Sequence, residues 1–149
     1  MPDEDIMQIA RSQYEAWNDR DFDRLGSLFA DDAEIVVAGS DARFRGPEGA
    51  RDYGRTWVDA FPDGRISIDT ETAQGDRVVI EYTGHGTQTG TLRGPAGEIP
   101  PTGRSVTLQL CDVTEVRGGK IAAVRTYFDS AALLTQLGVM EAAGAQAQA

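Results

Sequence analysis

Few side chains in this sequence are suited to catalysis, and their small number limits the chemistry. The 149 residues include one histidine, His85, and one cysteine, Cys111. A single cysteine forms no internal disulfide, and the sequence has neither a Cys-x-x-Cys pair nor a His/Cys cluster that would hold zinc. It also lacks the Gly-x-Ser-x-Gly, Gly-x-Gly-x-x-Gly and phosphate-loop motifs. We therefore expect chemistry based on side-chain acids and hydrogen-bond donors, with no metal.

Asp129 is a candidate acid/base because it stands between a predicted strand and a predicted closing helix. Removing a proton next to a carbonyl requires a base within hydrogen-bond reach, and burial would raise the pKa of an aspartate towards neutrality. The alternative is that Asp129 or Ser130 caps the helix, since both residue types are preferred at that position. The residue types alone favour the cap, and the two roles are compatible.

Strand alternation places Arg125 and Tyr127 on the same face as Asp129. If that face lines a pocket, Arg125 and Tyr127 would stabilise an oxyanion. Arg125 would also lower the pKa of Asp129 and so weaken it as a base. The alternative is an Arg–Asp pair that faces solvent and contributes little to stability.

His85 is a second candidate acid/base, since histidine ordinarily titrates near neutral pH. Alternation places it opposite Tyr82 and Gln88, so His85 and Gln88 are rival pocket residues. Gln109 shares a strand face with Cys111 and is a candidate for a polar contact. The cysteine itself is more typical of a small buried hydrophobic residue than of a nucleophile.

The elements that must position these residues follow from hydrophobic periodicity. Helical spacing predicts helices over 3–18, around 25–29, from Gly46-Pro47 to Pro62-Asp63-Gly64, and over 130–137. Strands are predicted by β-branched runs and a period of two at 33–38, 66–73, 77–91, 105–117 and 121–128. The segment 93–103 is rich in proline and glycine, so we expect it to lack regular structure.

This order of elements predicts an α+β fold. Three N-terminal helices would pack on one face of a curled antiparallel sheet, form a cone around a pocket, and be followed by a short C-terminal helix. We expect a single domain over 1–140 and a flexible tail over 141–149, because the tail is low in complexity.

Charge argues against two classes of partner. Twenty-four acidic residues against 14 basic ones give a formal charge of −10. Nucleic acids and anionic membranes bind clustered Lys and Arg, so we expect neither. No apolar run approaches the roughly 20 residues that span a bilayer, and the acidic start lacks the features of a signal peptide. We expect a cytoplasmic location.

Four short motifs follow one another along the chain in an order that resembles a known family. They are Trp17-Asn18 with Phe29-Ala30-Asp31-Asp32; Phe61-Pro62-Asp63; Gly86-Thr87-Gln88-Thr89-Gly90 with Pro100-Pro101-Thr102-Gly103-Arg104; and Gly119-Lys120-Ile121 with Asp129 and Gln136-Leu137-Gly138. Together they resemble the SnoaL-like polyketide cyclases of the nuclear-transport-factor-2-like superfamily, over residues 14–138.

The resemblance implies intramolecular aldol ring closure by an aspartate, without metal or cofactor. Asp129 matches that aspartate. Gln88 stands where the family usually has His, and Arg125 where it often has Trp, so both depart from the family at positions of expected substrate contact. Because the third helix covers the cavity in this fold, Tyr53 and Trp57 are predicted to contact substrate, although an aromatic stripe at helical spacing is usually core packing.

The resulting prediction is a cyclase-like enzyme that acts on a polyketide-like small molecule in an apolar pocket. A hydroxylase or epoxide hydrolase on the same fold is the enzymatic alternative, since this fold carries many chemistries. A module for small-molecule binding or dimerisation is the other alternative. By analogy, we expect a homodimer through the outer face of the sheet.

Overall fold

A computed structural model describes residues 2–94 and 97–141 of the chain. Residues 142–149 of the predicted tail lie outside the described residues. The helices are α1 (Asp3–Asn18), α2 (Phe22–Ser27), α3 (Gly46–Ala60) and α4 (Ser130–Gln136). The strands are β1 (Phe29–Val37), β2 (Arg43–Arg45), β3 (Arg65–Gln74), β4 (Arg77–Thr87), β5 (Leu92–Gly94), β6 (Gly97–Ile99), β7 (Ser105–Arg117) and β8 (Lys120–Phe128). The predicted α+β class is confirmed.

The helices form where the sequence places apolar residues on one side. In α1, Ile6, Ala10, Tyr14 and Trp17 are buried at helical spacing, and acids occupy the first turn, where the helix dipole favours them. Pro47 stands in the first turn of α3, where its missing N–H costs nothing. Both helices pack their apolar sides against the sheet.

The main sheet has six strands in the order β2-β1-β8-β7-β4-β3. Its pairs are antiparallel except for β1 and β8, which run parallel with Ile35 opposite Val124. The expectation of a wholly antiparallel sheet is therefore wrong at this pair. Parallel neighbours need a long connection, and here most of the chain separates the first strand from the last.

The segment 93–103 differs from its prediction, because it contains part of a small hairpin. Leu92 in β5 pairs with Ile99 in β6. Leu92 is buried against Phe61, Leu108 and other apolar residues, which explains why the hairpin stays folded. The hairpin was not predicted because its short strands stand among proline and glycine residues. Strand β2 was not predicted either, because it has only three residues.

The inner face of the sheet carries the core. Along β7, Val106 and Leu108 are buried at alternate positions, and the same alternation then buries Asp112 and Thr114. An apolar strand face that turns polar inside the molecule is costly unless its polar groups are hydrogen-bonded. This part of the interior is where the candidate site lies. None of the helices in the described residues is long and apolar enough to cross a membrane.

Candidate active site

Two adjoining cavities lie between the helices and the inner face of the sheet. The larger has a volume of about 90 Å³ and the smaller about 60 Å³. Their shared walls are Trp17, Tyr53, Ile66 and Tyr82. The larger cavity is lined mainly by aromatic and aliphatic side chains, whereas the smaller reaches Asp112.

Asp112 is the polar centre of this interior. It is 5% exposed, and three hydroxyl groups donate hydrogen bonds to its carboxylate. The Tyr14 hydroxyl lies 2.8 Å from Oδ2, and the hydroxyls of Tyr82 and Thr126 lie 3.1 and 2.7 Å from Oδ1. The site therefore joins α1 with three adjacent strands, β4, β7 and β8, at one carboxylate.

Burial governs the acidity of this group. Desolvation raises the pKa of Asp112 from 3.8 to about 6, while the hydrogen bonds from Thr126, Tyr14 and Tyr82 act in the opposite direction. The pKa values of the Tyr14 and Tyr82 phenols are raised well above their ordinary value, first by burial and then by the Asp112 charge. Both phenols therefore stay protonated as donors, and the carboxyl group can exchange a proton near neutral pH.

Aromatic rings of α3 form one wall. Tyr53 and Trp57 meet edge to face with ring centroids 6.5 Å apart, and Trp57 stacks on Phe61 at 6.3 Å. Trp57 also packs edge-on against Phe128 of β8 at 5.6 Å. Tyr53 lines both cavities and Trp57 lines the larger one. Their contact with a substrate stays a prediction.

Asp129 lies elsewhere. Its side chain accepts a hydrogen bond from the Ala132 N–H at 3.0 Å and caps α4, and the residue is exposed. It borders a groove on the outer face of the sheet, whose lining also includes Gln109, Cys111 and Tyr127. The helix cap is thus present, and the catalytic role of Asp129 stays a prediction.

On β8, Arg125 and Tyr127 lie at alternate positions, and Asp129 follows the strand as the cap of α4. None of the three lines either cavity. Tyr127 is 44% exposed. The carboxylate nearest to Arg125 is Glu115, at 4.0 Å from Nη1 to Oε1. The intervening Val124 and Thr126 face inward and line the smaller cavity.

Gln88 and His85 lie in different surroundings. Gln88 is 0% exposed, yet it lines neither cavity. Its amide nitrogen donates to the carbonyls of Ile99 and Pro100, and its amide oxygen accepts from Thr102. Gln88 therefore holds the loop after β6. His85 is exposed and lines the larger cavity.

Sequence reasoning missed the residues around the buried carboxylate. The four residues of this site are spread along the chain, and none belongs to a recognisable motif. They are Tyr14, Tyr82, Asp112 and Thr126. One signal was present: Asp112 continues the series of alternate positions that starts with Val106 and Leu108. A carboxylate in a buried strand register points to a paired or functional group. No group of three or more His, Cys, Asp or Glu residues that would hold a metal occurs within 2–94 and 97–141.

A curled sheet covered by helices, with a hydroxyl-lined carboxylate between them, defines the class, a small α+β protein with internal cavities. The chain belongs to the SnoaL-like polyketide cyclase family, whose sequence profile matches residues 7–137. No curated protein matches the sequence.

Solved structures share the fold at low identity. A protein from Jannaschia sp. CCS1, assigned as a SnoaL-like polyketide cyclase, is 18% identical with a TM-score of 0.81, over 91% of this chain and 92% of its own. AclR from Streptomyces galilaeus, assigned as a hydroxylase, is 21% identical with a TM-score of 0.77, over 92% and 98%. An LEH-like epoxide hydrolase from M. tuberculosis is 22% identical with a TM-score of 0.69, over 90% of each chain. These likenesses establish the fold, and their assigned activities differ.

Proposed function

We propose that the protein is a cofactor-independent acid/base enzyme that closes a ring in a small enolisable carbonyl compound within the internal cavities. One observation carries the proposal: among the described residues that line the two cavities, Asp112 is the only carboxylate. It is buried, and it has a pKa of about 6. A general base works best when its pKa lies near the operating pH.

The proposed reaction is an intramolecular aldol addition. The Asp112 carboxylate takes a proton from the carbon next to a carbonyl, and that carbon, now part of an enolate, attacks a second carbonyl of the same molecule. A carbon–carbon bond forms, and the resulting alkoxide recovers the proton from Asp112. The product is an isomer of the substrate, and subsequent dehydration would remove one water.

Cavity size limits what enters. A cavity of about 150 Å³ takes up benzene, and the two cavities together are on that scale. The substrate would therefore place one ring-sized part inside. The remainder would extend past Arg65 and His85, the exposed residues of the larger cavity's lining. A polyketide with several fused rings would require the cavities to widen.

Asp129 is the rival proton carrier, because the family resemblance assigns it that role. A matched pair of variants, Asp112→Asn and Asp129→Asn, separates the two. Each variant is incubated with a panel of polyketide esters, and the masses of the products are measured by mass spectrometry. General acid/base groups contribute about 10²- to 10⁴-fold. We therefore expect Asp112→Asn to lower the rate by at least about 100-fold and Asp129→Asn to keep most of it.

The product masses separate the alternatives. A product of unchanged mass, or lighter by one water, supports cyclisation. A gain of one oxygen would support a hydroxylase, and a gain of one water would support an epoxide hydrolase. Loss of activity in Asp129→Asn alone would return the role to Asp129. Bound ligands without turnover would indicate a binding module.

We also propose that the protein forms a homodimer through the outer face of the sheet. Tyr127 of β8 is one of the large apolar side chains exposed in the described residues, and it borders the groove on this face. Light scattering after size exclusion would give the mass of a dimer. A monomer at micromolar concentration would contradict this assembly.

A further inference from the structure

We propose that the Tyr53 hydroxyl is the hydrogen-bond donor for the reacting carbonyl oxygen of the ligand. The ligand class is then a ring-sized, largely apolar compound that presents an acceptor oxygen to this phenol, such as a cyclic ketone. The inference rests on the proposed function in using the same cavities, but it concerns recognition and is testable without turnover.

The three interior phenols are unequal. Tyr14 and Tyr82 donate to Asp112. The Tyr53 hydroxyl is buried and makes no hydrogen bond within 3.5 Å to the described residues, although Trp57 and Thr126 lie near enough to lower the pKa of its phenol. Native proteins rarely leave a buried polar group unpaired, because its lost hydration is not replaced. An acceptor supplied by a ligand would satisfy it.

The position of this hydroxyl fits such a role. Tyr53 borders both cavities, so a ligand in either one lies against its ring. The ring is held between Phe44, at a centroid distance of 5.0 Å, and Trp57. Its backbone belongs to the 15-residue helix α3. A donor fixed in this way needs no reorganisation when charge develops on the ligand.

The surroundings also select the ligand. The part of a ligand near Tyr53 must be apolar apart from its acceptor, because most side chains around the smaller cavity are apolar. They include Trp17, Leu25, Phe29, Ile35 and Val124. Burial, followed by the charge of Asp112, raises the pKa of the Tyr53 phenol far above its ordinary value. The phenol therefore keeps its proton. When Asp112 takes a proton from the ligand, the negative charge moves to the ligand oxygen, where this donor stabilises it.

Two probes of equal shape test the proposal. Cyclohexanone carries an acceptor oxygen, and methylenecyclohexane has a CH₂ group in its place. Affinities are measured by NMR titration and corrected for the hydration of each probe. A net hydrogen bond of about 1 kcal/mol corresponds to about fivefold. We expect the wild-type protein to prefer the ketone by about that factor, Tyr53→Phe to lose the preference, and Thr56→Ala, which removes a hydroxyl from α3 outside the cavities, to keep it.

Infrared spectroscopy of ¹³C=O cyclohexanone supplies a second readout. Binding to the wild-type protein should lower the carbonyl stretching frequency, and Tyr53→Phe should remove that shift. An unshifted carbonyl in the bound wild-type complex would overturn the proposal even if Tyr53→Phe failed to fold. Retention of both the preference and the shift in a folded Tyr53→Phe would overturn it as well.

The two proposals fail separately. A ketone preference that depends on Tyr53, without turnover of any polyketide ester, would refute the enzymatic function and leave the recognition intact. Turnover that depends on Asp112, without a ketone preference, would refute the role of Tyr53 alone.

Discussion

The hydroxyl of Tyr14 donates a 2.8 Å hydrogen bond to the carboxylate of Asp112, 98 residues further along the chain. This bond ties α1 to the middle of the sheet. Hydrogen bonds to a charged acceptor are stronger than neutral ones, and this bond is shielded from water. It therefore contributes both to the fold and to the acidity of the candidate site.

Tyr14→Phe removes one donor to Asp112 while keeping the ring. Since that donor lowers the pKa of Asp112, we expect the pKa to rise further above its value of about 6. The free energy of unfolding should fall by about 1–3 kcal/mol. Carboxyl ¹³C NMR titration and urea unfolding measure the two effects. Tyr127→Phe, at an exposed site, should change stability by less than about 0.5 kcal/mol. A falling pKa would contradict the interpretation.

The stability of the protein should carry a pH signature of Asp112. Its folded pKa of about 6 exceeds the unfolded value near 3.8, so the folded state binds more protons between these values. The contribution of this group is therefore most favourable below about pH 4 and is lost as the pH rises through 6. This difference between the folded and unfolded pKa values corresponds to about 3 kcal/mol of unfolding free energy at most.

Urea unfolding of the wild type and Asp112→Asn across this pH range isolates that signature. Other carboxylates titrate in both proteins, so the difference between them reports Asp112. We expect the stability of the wild type relative to the variant to decrease between about pH 4 and 6 and to level off above it. A difference that stays constant with pH would show that Asp112 is not perturbed.

Asp129 has a structural role that can be separated from catalysis. Asp129→Ala removes the cap of α4 and should cost about 1 kcal/mol of stability, whereas Asp129→Ser keeps a capping oxygen and should cost much less. Thermal unfolding measures both. If Asp129 acts only as a cap, both variants keep their rate once folded. Loss of activity in Asp129→Ser at full stability would identify a chemical role.

Gln88 should matter for stability through the loop that it holds. Gln88→Ala removes the hydrogen bonds to Ile99, Pro100 and Thr102 and leaves a cavity. We expect a loss of about 2–4 kcal/mol and faster amide exchange at residues 99–104. Gln109→Ala, at an exposed position, serves as the matched control. Unchanged exchange in Gln88→Ala would contradict this role.

The helices, most strands and the family were predictable because they depend on local patterns. Helical spacing in α1, Pro47 in α3 and the period of two in β7 each act over a few residues. Strand alternation did not reveal which face of the sheet points inward. A period of two looks the same for both faces, and the inward face is set by where the helices pack.

By itself, then, the sequence determined the α+β class, the order of its main elements and the family, since these are written in short-range periodicity and motifs. Only the tertiary structure decided which carboxylate lies inside. Asp112 meets Tyr14, Tyr82 and Thr126 through contacts between an N-terminal helix and three strands, and no local pattern specifies those distances. The fold buries that carboxylate, raises its pKa and leaves Asp129 at the surface as a helix cap.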